Sequence, residues 1–549
     1  MLLGVFGAGV FLAGLELMIT AVALPAIILA FAPDPIFAFK ELREASWIIN
    51  GYLLVYVVAM PLAGRLSDLW GARRLFLAAL AIFIVGSALA GRAQSLEELI
   101  AARLVQAAGG GILVPVGTAA ASHLFEGHAR PRALGVIGGL TFLGMAAGPF
   151  LGAAILDGLH VDIALARAGI AGGPMVDALA PAWRWIFYVN VPIGIVALVL
   201  GWAASHGWDT PRRQGRVDLL GGAIFSVALV GGLVGLTLLG SGTVADVGLD
   251  PGVVVAILFS LAVVATLLTI VRGLRTDDPY LDPRLFRSGV FSSATLVSLL
   301  TGYGFATAII GGAVFVDRVL YGGPAVQRVA LGSLAAATAV GAVASGFLVR
   351  ILSLRLVTMI GLVASAVALL LMARWTAATR IEDVAATLAL FGLGFGLTVT
   401  PRSTAAVEAV GRRSFGIASA TVTLARMVGM AVGLAILTAY GSTTIEHLYD
   451  RVHATSDAYQ QFIPIELRDR PLEDGLVVEA LENWAAGEGA GILGGVFLAA
   501  AVVTVVAVPA ALVMRGRPRM LAKAPATAGT LSPALEADGP DGVEPNLAL

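Results

Sequence analysis

Glu16 is set near the centre of an apolar stretch over residues 1–31, about 15 residues or ~22 Å of helix from its start. Of the chain's 36 acidic residues, no other lies near the middle of such a stretch. A carboxylate at membrane depth must face a cavity or a partner, and it exchanges protons as its surroundings alternate between wet and dry. Locked to an arginine for good, the same group would be structural. Two arginines, Arg103 and Arg426, fall inside apolar stretches and fit either role. By approaching or withdrawing, each would shift the balance between charged and neutral carboxyl. Thr20 and Gln106 add polar side chains near Glu16 and Arg103, completing a candidate cavity of Glu16, Thr20, Gln106 and Arg426. All six histidines fall in loops or at span ends, and there is no cysteine. Without buried histidine, cysteine or paired acids, the sequence offers no metal site, no cofactor site and no enzyme chemistry.

The elements that must hold Glu16 follow from composition. With 58% hydrophobic and 13% charged residues, the chain lies outside the range of soluble domains and reads as an all-α polytopic membrane protein. A net charge of -1 gives no basic field for nucleic acid. Counting apolar runs long enough to cross ~30 Å of hydrocarbon predicts fourteen spans: 1–31, 44–63, 73–92, 96–122, 132–156, 183–204, 217–240, 251–271, 289–317, 325–349, 356–373, 383–401, 413–440 and 489–514. The first has no basic segment ahead of it and no small-residue cleavage site, so it reads as a retained helix. If it starts inside, the inner loops and tail, including Arg402, Arg412 and Arg413, collect 21 of the 35 Lys and Arg and the outer side twelve. That imbalance places both termini in the cytoplasm.

Between the second and third spans lies Gly64-Arg-Leu-Ser-Asp68-Leu-Trp-Gly71-Ala-Arg73-Arg74. The glycines permit close backbone packing, Asp68 can accept hydrogen bonds from a helix N-terminus, and the arginines hold the turn on the positive side. A gating role is expected, with Asp68 meeting the start of the thirteenth span near Arg412 and Arg413. A charged inter-helix turn is also simply what a cytoplasmic loop looks like. Gly346 to Arg355 resembles a worn copy 282 residues later, without a counterpart of Asp68. In the fifth span, Gly144, Gly148 and Gly152 form a small-residue stripe for close helix contact, with Pro149 placed to kink it. The stripe is read as packing that also influences gating.

The Gly64 to Arg74 turn resembles the signature loop of the major facilitator superfamily, and other segments resemble its fourteen-span drug:proton antiporter branch. These are Leu15-Glu16 to Pro25, where the branch usually carries aspartate at the Glu16 position; Arg103-Leu-Val-Gln106-Ala-Ala-Gly109; Gly144 to Gly152; Trp183-Arg-Trp-Ile-Phe-Tyr-Val-Asn190-Val-Pro192-Ile-Gly194; and Arg426 to Gly433. Met18 and Ala21 depart from the usual threonine and asparagine, and Asp317 stands where the family tends to place glutamine, adding a titratable group near the outer mouth. The resemblance implies a major facilitator fold: a six-helix bundle over 1–204, two inserted helices and a linker over 205–288, and a second bundle over 289–514. It implies proton coupling through Glu16, Arg103 and Asp317, gating by the Gly64 turn and the Gly144 stripe, and export of amphipathic small molecules or drugs by a monomer in a bacterial inner membrane. Its partners would be a small-molecule substrate, protons and the lipid bilayer. Export of an endogenous lipid, siderophore or metabolite, and a non-transporting sensor on the same fold, stand as alternatives.

Three polar pieces remain. Residues 158–182 lengthen an outer loop with no assigned role. Residues 441–486 form an outer loop in which Leu476 to Trp484 reads as a surface amphipathic helix. Residues 515–549 read as a disordered tail, rich in Ala, Pro and Gly from 523.

Overall fold

With no water in a hydrocarbon core to bond the backbone, each apolar stretch must satisfy its own N–H and C=O groups, which helices do. The structure, a computed structural model, describes residues 2–31, 47–127, 129–167, 169, 173–206, 210, 212, 217–241, 250–410, 414–453, 458–468, 470–471 and 474–514. Among these, there is no strand, and fourteen helices are long and apolar enough to cross a membrane. They are α1 (Leu2–Phe31), α2 (Trp47–Trp70), α3 (Ala72–Arg92), α4 (Leu96–Leu124), α5 (Ala129–Gly158), α6 (Asn190–Ala204, the last part of a helical span that begins at Ala182), α7 (Leu219–Ser241), α8 (Pro251–Arg275), α9 (Gly289–Arg318), α10 (Pro324–Leu348), α11 (Leu354–Met372), α12 (Ile381–Glu408), α13 (Phe415–His453) and α14 (Gly475–Val513). Arg412 and Arg413, and the tail at 515–549, lie outside the described residues.

Local signals set several helix ends. Ser95 caps α4 by accepting from the Glu98 amide, while Glu98 accepts from the Gln94 amide at 2.8 Å. Asp250 with Pro251 starts α8, and Ser288 and Ser353 cap α9 and α11. Asp474 caps α14, and the Leu476 amide together with Arg470 holds its carboxyl below the usual carboxylate range.

Several boundaries differ from the sequence reading, among them the end of α2, which runs to Trp70 and not 63. The outer loop expected at 441–486 is largely helix: α13 continues to His453 and α14 begins at Gly475, so Leu476 to Trp484 is the first part of a membrane helix and not a separate surface helix. At 39 residues each, these helices run about 58 Å, roughly twice what the hydrocarbon requires. Arg402, read as an inner-loop residue, lies within α12 and is buried. Helices of high polarity near their ends are hard to bound by hydropathy, because polar residues satisfied by neighbouring helices look the same as solvated ones.

The pairing of helices repeats. Helix α1 packs on α5, α2 and α3 on α4, and α6 on α3 and α1; in the same pattern α9 packs on α13, α10 and α11 on α12, and α14 on α11 and α9. The two sets touch through α5 against α10 and α2 against α13. These contacts are backbone-close: a Cβ on Gly346 would sit 2.8 Å from the Pro131 carbonyl oxygen, and one on Gly64 would sit 2.8 Å from that of Gly416. Helices α7 and α8 pair with each other, and α7 lies along α13 with Phe225, Leu229 and Leu233 against its apolar face.

Asp218, just ahead of α7, accepts from Arg272 of α8 at 2.6 Å. Burial pushes its carboxyl up, but the Arg272 hydrogen bonds and the Gly221 amide more than offset that and leave it below its ordinary range. A depressed folded value means the carboxylate contributes stability at neutral pH that is lost as pH falls through that depressed value. Asp218→Asn is therefore expected to lower the melting temperature by about 1–3 °C at pH 7 and by less at pH 3, measured by scanning fluorimetry of purified protein. An equal deficit at both pH values would refute the ionic account.

Candidate functional site

Glu16 lies where α1 meets α4 and α6, with no exposed surface. Its Oε1 accepts from Thr20 Oγ1 at 3.0 Å and from Arg103 Nη1, and its Oε2 accepts from Asn190 Nδ2 at 2.6 Å. Arg103 Nη1 also donates to Gln106 Oε1 at 2.6 Å, and Gln106 Nε2 donates to Ser87 Oγ at 2.7 Å. The guanidinium lies 3.9 Å from the centroid of the Tyr52 ring. An ion pair at this depth is tolerable because both Glu16 oxygens accept hydrogen bonds and Arg103 donates to Glu16 and Gln106, although Asn190 Oδ1 and the Tyr52 hydroxyl have no partner among the described residues.

Of the residues singled out from the sequence, Glu16, Thr20, Arg103 and Gln106 are thus brought together. Asn190, Ser87 and Tyr52 complete the network. Asn190 stood within a quoted motif, but nothing in its sequence neighbourhood signalled a partner 174 positions away. Asp317 is not part of the network: it is half exposed at the far end of α9, beside Arg318 at 3.0 Å and Gln327 at 3.4 Å. Arg426 lies in the second set of helices, its guanidinium 5.4 Å from the Phe142 ring centroid, and makes no contact with Glu16.

The glycine stripe positions Glu16. A Cβ on Gly144 would strike the Phe11 carbonyl, and one on Gly148 would sit 2.9 Å from the Ile19 amide, so α5 lies directly on the backbone of α1 on either side of Glu16. Pro149 is inside α5 beside this contact. Gly144→Val is expected to force α1 and α5 apart and destabilise the protein by about 2 kcal/mol, the range for overpacking, read as a lowered melting temperature. No change would show that the contact is slack.

At the turn, Gly64, Arg65 and Asp68 occupy the last turns of α2, and Gly71 alone makes the bend with φ +91°, a conformation that favours glycine. Asp68 Oδ1 accepts from the Gly416 amide at 2.8 Å and Oδ2 from the Ile417 amide at 3.1 Å, capping the first turn of α13. Arg73 donates to Ser205 at 2.7 Å, Arg74 is exposed, and Arg65 pairs with Asp278 of the linker at 2.9 Å. The side of the molecule bearing this turn is therefore closed by α2 against α13.

The sequence matches the model of the Major Facilitator Superfamily over residues 6–434. It is 30% identical over 508 residues to a triacylglyceride transporter of Mycolicibacterium smegmatis, covering 89% of this chain and 84% of that one. It is 31% identical over 420 residues to a triacylglyceride transporter of Mycobacterium tuberculosis, covering 73% and 76%. Among solved structures, the human organic anion transporter MFSD10 superposes with a TM-score of 0.58 at 15% identity over 92% of this chain and 98% of that one. A bacterial homologue of the lysosomal transporter Spinster superposes with a TM-score of 0.57 at 16% identity over 94% and 98%. Both establish a shared fold. The chain is a multi-pass membrane transporter, not an enzyme, and belongs to the major facilitator superfamily.

Proposed function

We propose that this transporter exports an amphiphilic lipid by alternating access and is driven by protons carried on Glu16. The observation that carries the proton half is the buried Glu16–Arg103 pair, held by side chains from α1, α4 and α6. Ionised, Glu16 neutralises Arg103; protonated, it releases Arg103 to Gln106 and Tyr52 and becomes an uncharged group that can cross between wet and dry states. The lipid half is supported by the relatives named triacylglyceride transporters, which favour the endogenous-lipid reading over drug efflux. Multidrug export, implied by the resemblance of Gly144 to Gly152 and the Trp183 segment to the drug:proton antiporters, is the second reading.

In this reading, 1–204 and 289–514 rock as two six-helix halves about the α5–α10 and α2–α13 contacts, with 205–288 inserted. Asp68 on α13 is the latch of the turn side. The excess of Lys and Arg supports that side, with both termini, facing the cytoplasm from a bacterial inner membrane. Each chain works as a monomer, without cofactor.

The test is accumulation in inside-out vesicles carrying the full chain, under an imposed proton gradient, of a short-chain fluorescent glycerolipid and, separately, of a cationic amphipathic dye. Gradient-dependent accumulation of the lipid supports lipid export. Accumulation of the dye alone would replace it with drug efflux, and accumulation of neither would favour a sensor.

A further inference from the structure

Arg402 of α12 and Arg426 of α13 are both buried, 2% and 8% exposed, and lie close enough to repel each other. Arginine keeps its charge in proteins. Yet among the described residues no carboxylate pairs with either one. The contrast with Arg103, whose charge is met by Glu16, is direct. A buried charge without a counter-charge is expensive by several kcal/mol. Such an arrangement persists where function demands an anion.

Neutral groups hold the two guanidiniums in place. Arg402 Nη1 donates to Thr301 Oγ1 of α9, and its guanidinium lies 5.1 Å from the Phe395 ring centroid. Arg426 lies on Phe142 of α5, whose ring meets that of Phe395 edge to face with centroids 5.3 Å apart, so both cations border one aromatic cluster. Stacking on rings fixes a guanidinium and leaves its N–H fork for a ligand. Arg426 Nε has no hydrogen-bond partner among the described residues, and neither has the buried Tyr56 hydroxyl of α2, which lies within electrostatic reach of Arg426. Donors from α12, α13 and α2 therefore converge, and α2 belongs to the opposite half from the other two.

We propose that Arg402 and Arg426, with the Tyr56 hydroxyl, recognise the anionic headgroup of the transported lipid, a phosphate or a carboxylate taken bidentately by the arginine forks. This rests on the lipid-exporter reading and specifies its substrate class: a headgroup charge, which a triacylglyceride lacks. The phenylalanines favour an amphiphile over a free anion, since they offer apolar surface where a soluble ion would need water. Because Tyr56 stands on the opposite half, a bound headgroup ties the halves together.

The experiment uses the purified full chain in phosphatidylcholine nanodiscs, with binding of dioctanoyl phosphatidate, dioctanoylglycerol and inorganic phosphate read by calorimetry. Phosphatidate is expected to bind about 10-fold or more tighter than dioctanoylglycerol, and Arg402→Gln and Arg426→Gln each to remove about a factor of 10 from phosphatidate alone. Tyr56→Phe, which deletes one oxygen and preserves packing, is expected to weaken phosphatidate about 5-fold and decides the matter should the arginine variants fail to fold. Equal affinity for the two lipids, or phosphatidate affinity unmoved by these substitutions, would overturn the site. Displacement of phosphatidate by inorganic phosphate at equal concentration would overturn the lipid source. Binding needs no gradient, so phosphatidate binding without proton-driven transport would sink the exporter reading alone, and transport unchanged in both arginine variants would sink the anion site alone.

Discussion

Glu16→Gln is expected to abolish gradient-driven accumulation while leaving substrate exchange in the absence of a gradient. One proton per cycle at 100 mV supplies about 2.3 kcal/mol, which sustains roughly 40-fold accumulation; without a titrating carboxylate the ratio falls to about one. The substitution is nearly isosteric, but it strips Arg103 of its counter-charge, and breaking one side of a buried pair costs about 3–5 kcal/mol of stability. Stability and coupling must therefore be separated. In Glu16→Gln with Arg103→Gln both charges are gone, and stability is expected to recover toward wild type because replacing a whole buried pair is often near neutral. Accumulation is not expected to recover. If Glu16 merely braces the helices, the double variant regains transport together with stability. The cycle of two single and one double variant, scored by melting temperature and by accumulation, distinguishes these cases. Glu16→Asp, which keeps the charge on a shorter arm, is expected to keep part of the coupling.

Asp68→Asn is expected to open the turn side. Both carboxylate oxygens accept backbone amides at the first turn of α13, where the helix dipole adds to the attraction. An asparagine offers one acceptor and turns an N–H toward the second amide. Losing the charged bond removes about 2–3 kcal/mol from the closed state, which shifts the equilibrium toward the open one by about 30- to 140-fold. The chain contains no cysteine, so spin labels can be placed at will. Trp70→Cys and Arg350→Cys, on exposed positions of the two helix sets, report the distance across the turn side by double electron–electron resonance. A longer distance component in Asp68→Asn is expected. Superimposable distributions with and without the substitution would show that the glycine contact of Gly64 on Gly416 suffices to hold α2 on α13.

Much of this architecture was legible in order of residues. The fourteen spans follow from runs of apolar side chains, since a helix satisfies its own backbone and hydrocarbon tolerates little else. Glu16 stands out because a carboxylate in such a run needs either a proton or a fixed partner, and the sequence leaves both readings open. Asp68 was recognisable as a helix-capping group next to glycines, and the structure puts it on the start of α13. The glycine stripe announced a close helix contact, though not that α1 would be its partner. The misplacements have one cause. A charge signals solvent in a linear sequence, which puts Arg402 in a loop, whereas in the folded chain Thr301 and Phe395 receive it. Asp317 stands at the end of α9, where the sequence puts it, and only packing keeps it out of the Glu16 network. The long α13 and α14 were cut short because their outer turns are polar enough to pass for loop.

Composition and local pattern thus determined what depends on each segment alone: that it spans, and which charges it carries into the membrane. Which charges meet was decided by the rotation and neighbours of each helix. Asn190 reaches Glu16 across 174 positions, and Arg426 borders the same aromatic cluster as Arg402 because α5, α12 and α13 converge. Hydropathy is a sum over neighbours in sequence, whereas electrostatic pairing is a property of neighbours in space, and only the tertiary fold relates the two.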